Sequence, residues 1–243
     1  MTLAILSALA DEQRGLIEQL HQPEQTLHAG REFWQGQLQN HQVVLALSRI
    51  GKVAAATTAT ALIERFGATR IVFIGVAGGI GPAVQVGDMV VADQLVQHDL
   101  DASPLFPRFE VPFYGQSCFT ADPFLTEQLL LACRNAMLAL GEPGSVHQGL
   151  LASGDQFVSC SQACHSLRSA LGLAGHNALA VEMEGAAVAQ VCHDYRLPFA
   201  AVRTISDRAD ASAHVDFSVF AREVASRYAR AIVFELLKLL SIK

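Results

Sequence analysis

The stretch LPFAAVRTISDRA, residues 197–209, decides the fold class of this chain. Its apolar run, residues 199–202, predicts a buried strand, and that strand ends in Ser206 and Asp207. The carboxyl ends of strands are where α/β folds place their chemistry. Burial disfavours the ionised form of a carboxyl group, so Asp207 is predicted to donate a proton near neutral pH.

Two further acids follow predicted strands. The segment AVEMEGAA, residues 180–187, repeats the order strand, carboxylate, helix. Glu184 precedes a predicted helix, whose dipole would favour its ionised form, although an ordinary first-turn acid is the alternative. Glu12 follows the first strand at a helix start, where a solvated acid is the default expectation. Three acids after three strands outline a site.

Apolar runs and amphipathic stretches alternate along the whole chain. This alternation predicts an α/β fold with a largely parallel sheet and helices on both faces. We find no domain boundary, so residues 1–243 are predicted to form a single domain. The predicted strands are 3–8, 43–48, 70–76, 88–92, 149–152, 179–183 and 199–205, and the predicted helices are 11–21, 53–66, 123–140, 161–171, 185–195 and 217–240.

The composition narrows the function classes. Of 243 residues 51% are hydrophobic, and the net charge is −6 without a basic block, so nucleic acid is not an expected partner. The five scattered cysteines and the absence of a secretory signal favour reduced thiols in a cytoplasm. No apolar run approaches the roughly 20 residues of a membrane span. The segment 96–119 is rich in aromatics and prolines, which is typical of a functional or partner-contacting loop.

Other motifs carry weaker signals. The glycines of residues 75–81 do not fit a dinucleotide loop and are followed by a predicted strand, so they indicate a turn or a close backbone approach to a ligand. Phe157 would either stack on a planar ring or belong to the core. Cys160, Cys164 and His165 lack a second ligand pair, which favours packed thiols over a metal site. The segment 98–101, His-Asp-Leu-Asp, is expected to be a hydrogen-bonded structural element. A serine hydrolase is disfavoured because no G-x-S-x-G motif occurs.

Six motifs together, ALADE (8–12), SRIGK (48–52), GVAGG (75–79), SGDQF (153–157), VEMEG (181–185) and VRTISD (202–207), resemble the 5′-methylthioadenosine/S-adenosylhomocysteine nucleosidases of the nucleoside phosphorylase and hydrolase superfamily. The resemblance spans nearly the whole chain. It implies a three-layer αβα sandwich around a mixed, strongly twisted sheet. It also implies hydrolysis of the N-glycosidic bond of 5′-modified adenosines in methionine salvage, without metal or organic cofactor. Finally, it implies a homodimer in which the 96–113 loop closes the neighbouring pocket.

The resemblance also implies residue roles. Asp207 would protonate N7 of adenine with the help of Ser206, Glu12 would activate the water, and Glu184 would bind the ribose hydroxyls. Other implied substrate contacts are Met183, Glu182 and Arg203 around the ribose; Phe157 and Val158 at the adenine; Leu9, Ile50 and Phe217 at the ribose and 5′-substituent; and Ala77 and Gly78 in the glycine motif.

One position departs from the family pattern. Many members carry Ser or Thr where this chain has Val76, so any side-chain contact from there to ribose or water is lost. Three alternatives stay open: a purine nucleoside phosphorylase, a futalosine-type nucleoside hydrolase, and a non-catalytic nucleoside-binding protein on the same fold.

Overall fold

The computed structural model describes residues 1–211 and 213–241. Its described strands all belong to one sheet. They are β1 (Thr2–Ser7), β2 (His21–His28), β3 (Arg31–Leu38), β4 (His41–Leu47), β5 (Arg70–Gly79), β6 (Met89–Gln97), β7 (Cys118–Thr120), β8 (Val146–Ser153), β9 (Ala178–Glu182) and β10 (Phe199–Asp207). The helices are α1 (Ala10–Gln13), α2 (Lys52–Glu64), α3 (Pro123–Leu140), α4 (Ser161–Leu173), α5 (Gly185–Asp194), α6 (Ala213–Phe220) and α7 (Ser226–Leu240).

The sheet is mixed, and its middle strand is β5. This strand pairs in parallel with β1 and β10, and its last residues pair antiparallel with β9. Strands β9, β8, β6 and β10 continue the pairing and return to β5, so five strands form a closed ring. The register opposes Gly78 to Val181, which brings the carboxyl ends of β5 and β9 together. The ring therefore gathers the predicted acidic strand ends at one place.

Both faces of the central strands are buried. Ala4 and Leu6 of β1 belong to one hydrophobic cluster, which also contains residues of α2 and α5. Leu3 and Ile5 of the same strand belong to a second cluster with α3 and α7. Successive strand residues point to opposite faces, so the two groups of helices cover opposite sides of β1. Burial of both faces explains why these strands are continuously apolar in sequence.

Local signals set the ends of α3. Asp122 caps its first turn, because its carboxylate accepts a hydrogen bond from the Leu125 amide at 2.8 Å. Pro123 stands at the first helical position, where its missing amide hydrogen costs nothing. Gly141 ends the helix in the left-handed conformation with φ of 67°. The predicted helix 123–140 is confirmed.

The predicted helix 11–21 is wrong. Helix α1 stops at Gln13, Gly15 adopts a φ of +85°, and β2 begins at His21. Strands β2 and β3 were not predicted either. Strand β2 is polar and almost fully exposed at the edge of the sheet, so it has no apolar alternation to reveal it. The expectation of a largely parallel sheet also fails, because half of the ten described strand pairings are antiparallel.

Three other bounds differ from the prediction. Strand β5 continues to Gly79, so the glycine motif is largely strand and not a turn after it. The predicted helix 217–240 starts earlier, with α6, and passes through a π-helical segment at Ala221–Ala225 before α7. Segment 96–119 is partly strand, since β6 extends to Gln97 and β7 begins at Cys118. In the described ranges, no helix combines the length and apolarity needed to span a bilayer.

Candidate active site

A cavity of about 280 Å³ lies at the carboxyl ends of β1, β5, β9 and β10. Every site residue predicted from the sequence lines this cavity except Arg203. Four lining residues, Ala8, Val76, Gln156 and Val181, were not predicted as site residues, although each falls inside one of the six sequence motifs. The lining residues are Ala8, Leu9, Glu12, Ile50, Val76, Ala77, Gly78, Gln156, Phe157, Val158, Val181, Glu182, Met183, Glu184, Ser206, Asp207 and Phe217.

Glu12 is buried, with 3% of its surface exposed, and the default expectation of a solvated acid is wrong. Its Oε2 accepts hydrogen bonds from the amides of Ala8 and Leu9, both at 2.8 Å. Its Oε1 accepts a third, from the Val76 amide at 3.0 Å. Burial raises the pKa of Glu12, while nearby Arg203 and the three amides oppose that rise. The carboxylate is thus held rigidly at the bottom of the cavity.

A glycine in β5 makes room for Glu12. A Cβ atom built on Gly75 would lie 2.7 Å from Oε1 of Glu12 and 3.3 Å from Nη1 of Arg203. No side chain fits between these charged groups without moving one of them. Gly78 has the same function for the second acid, because a Cβ there would lie 2.9 Å from Oδ1 of Asp207. The glycine motif therefore lets the backbone approach the acids.

Asp207 is also buried, with 2% exposure. The Ser206 hydroxyl donates a hydrogen bond to its Oδ2 at 2.8 Å, and the Ala209 amide donates to its Oδ1 at the same distance. Burial is the largest influence on the pKa of Asp207 and raises it, and these two hydrogen bonds act in the opposite direction. Asp207 is the last residue of β10, as the sequence predicted. The arrangement produces a carboxyl group that keeps its proton more readily than a solvated aspartate.

Glu184 faces the cavity from the start of α5. Its Oε1 accepts a hydrogen bond from the Gly51 amide at 2.8 Å. Burial raises the pKa of Glu184, and the neighbouring Glu182 raises it further. Desolvation and the like charge of Glu182 thus outweigh the Gly51 hydrogen bond and the nearby charge of Arg203, both of which lower the pKa of Glu184.

Arg203 and Glu182 form a buried ion pair behind the cavity. Nη2 of Arg203 lies 2.7 Å from Oε2 of Glu182, and its Nε lies 3.2 Å from the same oxygen. The guanidinium carbon also lies 3.9 Å from the centre of the Phe73 ring. Glu182 accepts further hydrogen bonds from the Ser153 hydroxyl and the Gly185 amide. Arg203 thus holds Glu182 and places a positive charge near Glu12 without lining the cavity.

The remaining walls are apolar. Phe157 is 47% exposed and contacts Phe217 edge-to-face, with 5.7 Å between ring centres, so it is not a core residue. Val76 packs in a small cluster with Phe217, Phe220 and Val224. A half-exposed aromatic ring at the mouth of a cavity can stack on a planar ligand. The cavity therefore combines an apolar wall with the four buried carboxyl groups of Glu12, Glu182, Glu184 and Asp207.

Lys52, Asp99 and Asp155 connect three segments near the cavity through an ion pair and hydrogen bonds. Nζ of Lys52 lies 2.6 Å from Oδ1 of Asp99, and the Asp155 amide donates to Oδ2 of Asp99 at 2.8 Å. The Lys52 amide in turn donates to Oδ1 of Asp155 at 2.7 Å. Asp99 is therefore a hydrogen-bonded structural element, as expected.

The cysteines of the weak metal motif have other contacts. Cys160 caps α4, since its sulfur accepts a hydrogen bond from the Ala163 amide at 3.3 Å. Across residues 1–211 and 213–241 no group of three or more His, Cys, Asp or Glu side chains is arranged to hold a metal ion. The free thiols are Cys118, Cys133, Cys160, Cys164 and Cys192.

Comparison with known proteins identifies the family. Residues 2–238 match the Phosphorylase superfamily. A 5′-methylthioadenosine/S-adenosylhomocysteine nucleosidase from Bacillus thuringiensis (strain Al Hakam) is 36% identical over 96% of this chain and 97% of its own. The crystal structure of the Neisseria meningitidis enzyme of the same name, in complex with methylthio-immucillin-A, superposes with a TM-score of 0.88 at 34% identity and covers 98% of both chains.

A related hydrolase is nearly as similar in structure. The futalosine hydrolase of Helicobacter pylori strain 26695 has a TM-score of 0.85 and 31% identity, covering 98% of this chain and 97% of its own. The sequence relationship to the Bacillus protein nevertheless extends over almost the whole of both chains. The chain belongs to the 5′-methylthioadenosine/S-adenosylhomocysteine nucleosidases of the phosphorylase superfamily.

Proposed function

We propose that this protein hydrolyses the N-glycosidic bond of 5′-methylthioadenosine, S-adenosylhomocysteine and related 5′-modified adenosines. The products are adenine and the 5′-modified ribose. The observation that carries this proposal is the convergence of Glu12, Glu184 and Asp207 on one cavity. The names of the relatives, and the methylthio-immucillin-A bound by the Neisseria enzyme, support the choice of substrate.

Asp207 is the general acid. Adenine leaves poorly as an anion, so cleavage of the bond between the anomeric carbon and N9 needs a proton on the base. A protonated Asp207 supplies that proton at N7, and its raised pKa keeps it protonated nearer to neutral pH. Ser206 and the Ala209 amide fix the orientation of the carboxyl group. The electron pair of the broken bond stays with the protonated adenine.

Glu12 is the general base. It takes one proton from a water molecule while the water oxygen bonds to the anomeric carbon. The three amides and Arg203 favour the carboxylate form that this step requires. A base whose pKa lies closer to the working pH is also a better match for proton transfer. The balance of burial and hydrogen bonding on Glu12 suits this role.

Glu184 binds the ribose. Its carboxyl group contacts the ribose hydroxyls beside the Met183 backbone, and hydrogen bonds donated by those hydroxyls favour its ionised form against the effect of burial. The resulting charge stabilises the oxocarbenium-like sugar of the transition state. Glu182 and Arg203 are secondary contacts on the ribose side of the cavity. Phe157 and Val158 contact the adenine, with Ala77 and Gly78 beside the base, and Leu9, Ile50 and Phe217 enclose the ribose and the 5′-substituent.

Water is a better match than phosphate as the nucleophile. A phosphate dianion needs cationic or amide-rich surroundings, whereas Glu12 places a carboxylate where phosphate would attack. Arg203 is engaged by Glu182 at 2.7 Å and does not line the cavity. These contacts argue against the purine nucleoside phosphorylase alternative.

We further infer a cytoplasmic homodimer with a role in methionine salvage. Five free thiols suit a reducing compartment. Phe113, the last residue of the 96–113 loop, is 93% exposed, and Leu105 is also exposed, which suits a loop that closes the neighbouring subunit's pocket. Light scattering at micromolar concentration tests the dimer. We also infer one domain over residues 1–243, built as a three-layer αβα sandwich from the two groups of helices and the sheet.

An adenine-release assay tests the activity. Methylthioadenosine, adenosylhomocysteine and inosine are compared in phosphate-free buffer. We expect adenine from the first two and no hypoxanthine from inosine. A requirement for added phosphate would instead establish a phosphorylase, and binding without turnover would establish a nucleoside-binding protein.

A further inference from the structure

A second cavity borders the reaction cavity. It encloses about 560 Å³ and shares Ala8, Leu9 and Ile50 with the first. In the proposed function Leu9 and Ile50 face the 5′-end of the ribose. The second cavity is therefore the adjoining space for a 5′-substituent that extends beyond a methylthio group.

Two arginines line this second cavity, Arg31 and Arg49. Nη2 of Arg49 donates to the Gly30 carbonyl at 2.5 Å. The Arg31 guanidinium donates to three carbonyls, at 3.1 to 3.4 Å, which belong to Ala29, Ser48 and Ala54. Within the described part of the chain, neither guanidinium forms an ion pair with a carboxylate. Burial lowers the pKa of Arg31, and the charge of Arg49 lowers it further. Two neighbouring positive charges thus lack an anion.

The other walls suit a flexible or aromatic linker. Ile17, Leu27 and Trp34 provide apolar surface, and Glu32 adds a carboxylate. A guanidinium group presents paired donors that match the two oxygens of a carboxylate. Glu32 would repel an isolated anion, but it would attract an ammonium group carried next to one. The cavity therefore offers complementary contacts to a chain that ends in a carboxylate or in an amino acid.

We propose that Arg31 and Arg49 bind the terminal carboxylate of a long 5′-substituent and make this protein selective for carboxylate-bearing substrates. This inference rests on the proposed function and specifies its substrate class. Two sources carry the same chemistry: the homocysteine portion of S-adenosylhomocysteine, and the carboxylate of a futalosine-type nucleoside. Only the first carries an ammonium group for Glu32.

The test compares kcat/KM for three thioether nucleosides. They are S-adenosylhomocysteine, its decarboxylated analogue with a 5′-(3-aminopropyl)thio group, and methylthioadenosine. In Arg49→Ala and Arg31→Ala we expect about a ten- to hundredfold loss for adenosylhomocysteine, since one charge-assisted hydrogen bond is removed in each. The two substrates without a carboxylate change less than about twofold, because their bound state makes no such bond. Arg49→Lys keeps the charge and gives an intermediate loss.

Arg65→Ala is the matched control, because Arg65 is exposed at the far end of α2 and lines neither cavity. It should leave all three values unchanged. Glu32→Ala separates the two carboxylate sources: it lowers kcat/KM for adenosylhomocysteine and not for a futalosine-type nucleoside. Arg31 donates hydrogen bonds to backbone carbonyls, so the fold of Arg31→Ala is checked by circular dichroism. Arg49 is exposed, so Arg49→Ala tests the inference independently of any effect on the fold.

Equal losses on all three substrates, or no change in their ratio, would overturn the inference. In both cases methylthioadenosine is still cleaved by the unmodified protein, so the proposed function stands. Failure of the unmodified protein to release adenine from any of the three would instead contradict the proposed function itself.

Discussion

Arg203 and Glu182 are joined by a 2.7 Å contact between Nη2 and Oε2, and both side chains are almost fully buried. Arg203 is 1% exposed and Glu182 7%, so either charge would be left largely desolvated if the other were removed. Breaking one side of a buried ion pair typically costs about 3–5 kcal/mol, because the remaining charge is left uncompensated. The pair is thus a structural requirement of the site as well as an electrostatic one.

The first prediction follows from this pair. Arg203→Met should lower the free energy of unfolding by about 3–5 kcal/mol in urea titrations. The double variant Arg203→Met with Glu182→Leu should recover part of that loss, because it leaves no unpaired charge. The exposed pair of Arg222 and Glu223 is the control, and Arg222→Met should change stability by less than about 1 kcal/mol. Equal losses in the single and double variants would contradict the interpretation.

The second prediction concerns Asp207. Asp207→Asn keeps the size of the side chain and cannot deliver a carboxylic acid proton, so kcat should fall by about 10²–10⁴-fold. Binding of a non-hydrolysable methylthioadenosine analogue, measured by calorimetry, should change less than tenfold. Ser206→Ala removes only the hydroxyl that orients Asp207 and should cost a smaller share of kcat. Full turnover by Asp207→Asn would refute the assignment of the acid.

The sequence predicted those features of the site that depend on neighbouring residues, and it missed those that depend on residues far apart in the chain. Asp207 follows a contiguous apolar run, and Glu184 follows another, so their places at strand ends were visible locally. The motifs also identified nearly every lining residue. The hydrogen bond from the Gly51 amide to Glu184 joins residues 133 positions apart, and nothing in either local segment indicates it.

The wrong predictions have the same origin. Glu12 stands in a polar run at a helix start, which locally favours solvent, yet amides from two separate segments bury and hold it. Strand β2 is formed by pairing with β3, while its own sequence is polar and contains Pro23. The antiparallel crossing of β5 and β9 depends on the closed ring of strands. Tertiary contacts determine each of these features, and the hydrophobic periodicity of the sequence does not reveal them.

The third prediction uses the glycine beside Glu12. Gly75→Ala places a methyl group within 2.7 Å of Oε1, so Glu12 or the strand must shift. We expect kcat to fall at least tenfold, because displacement of a base by about 1 Å is costly. Gly172→Ala, in helix α4, has no atom within 4 Å of the added Cβ and should leave kcat unchanged. Wild-type turnover by Gly75→Ala would show that the position of Glu12 is not critical.

The fourth prediction concerns the pH dependence of kcat. Asp207 must be protonated and Glu12 ionised, and both have raised pKa values. Turnover should therefore fall as the pH rises through the pKa of Asp207 and fall again as the pH drops through that of Glu12. In Ser206→Ala the carboxylate form of Asp207 loses a hydrogen bond, so the pKa rises and the alkaline limb should move to higher pH. An unmoved or opposite shift in the measured profile would contradict this assignment of the limb.

The fifth prediction concerns stability against pH. Burial and Glu182 raise the pKa of Glu184 above its usual value of 4.5 in the folded protein. Folding therefore favours the protonated form, and this contribution to stability is complete below the unfolded pKa and declines as the pH rises through the folded pKa. Glu184→Gln removes the titrating group, so its unfolding free energy relative to the unmodified protein should increase between about pH 5 and pH 9. Glu18→Gln, at an exposed position, controls for the loss of one carboxyl group. A difference for Glu184→Gln that decreases over this range would mean that folding favours the ionised carboxylate, and the electrostatic description of the ribose-binding side of the cavity would have to be reversed.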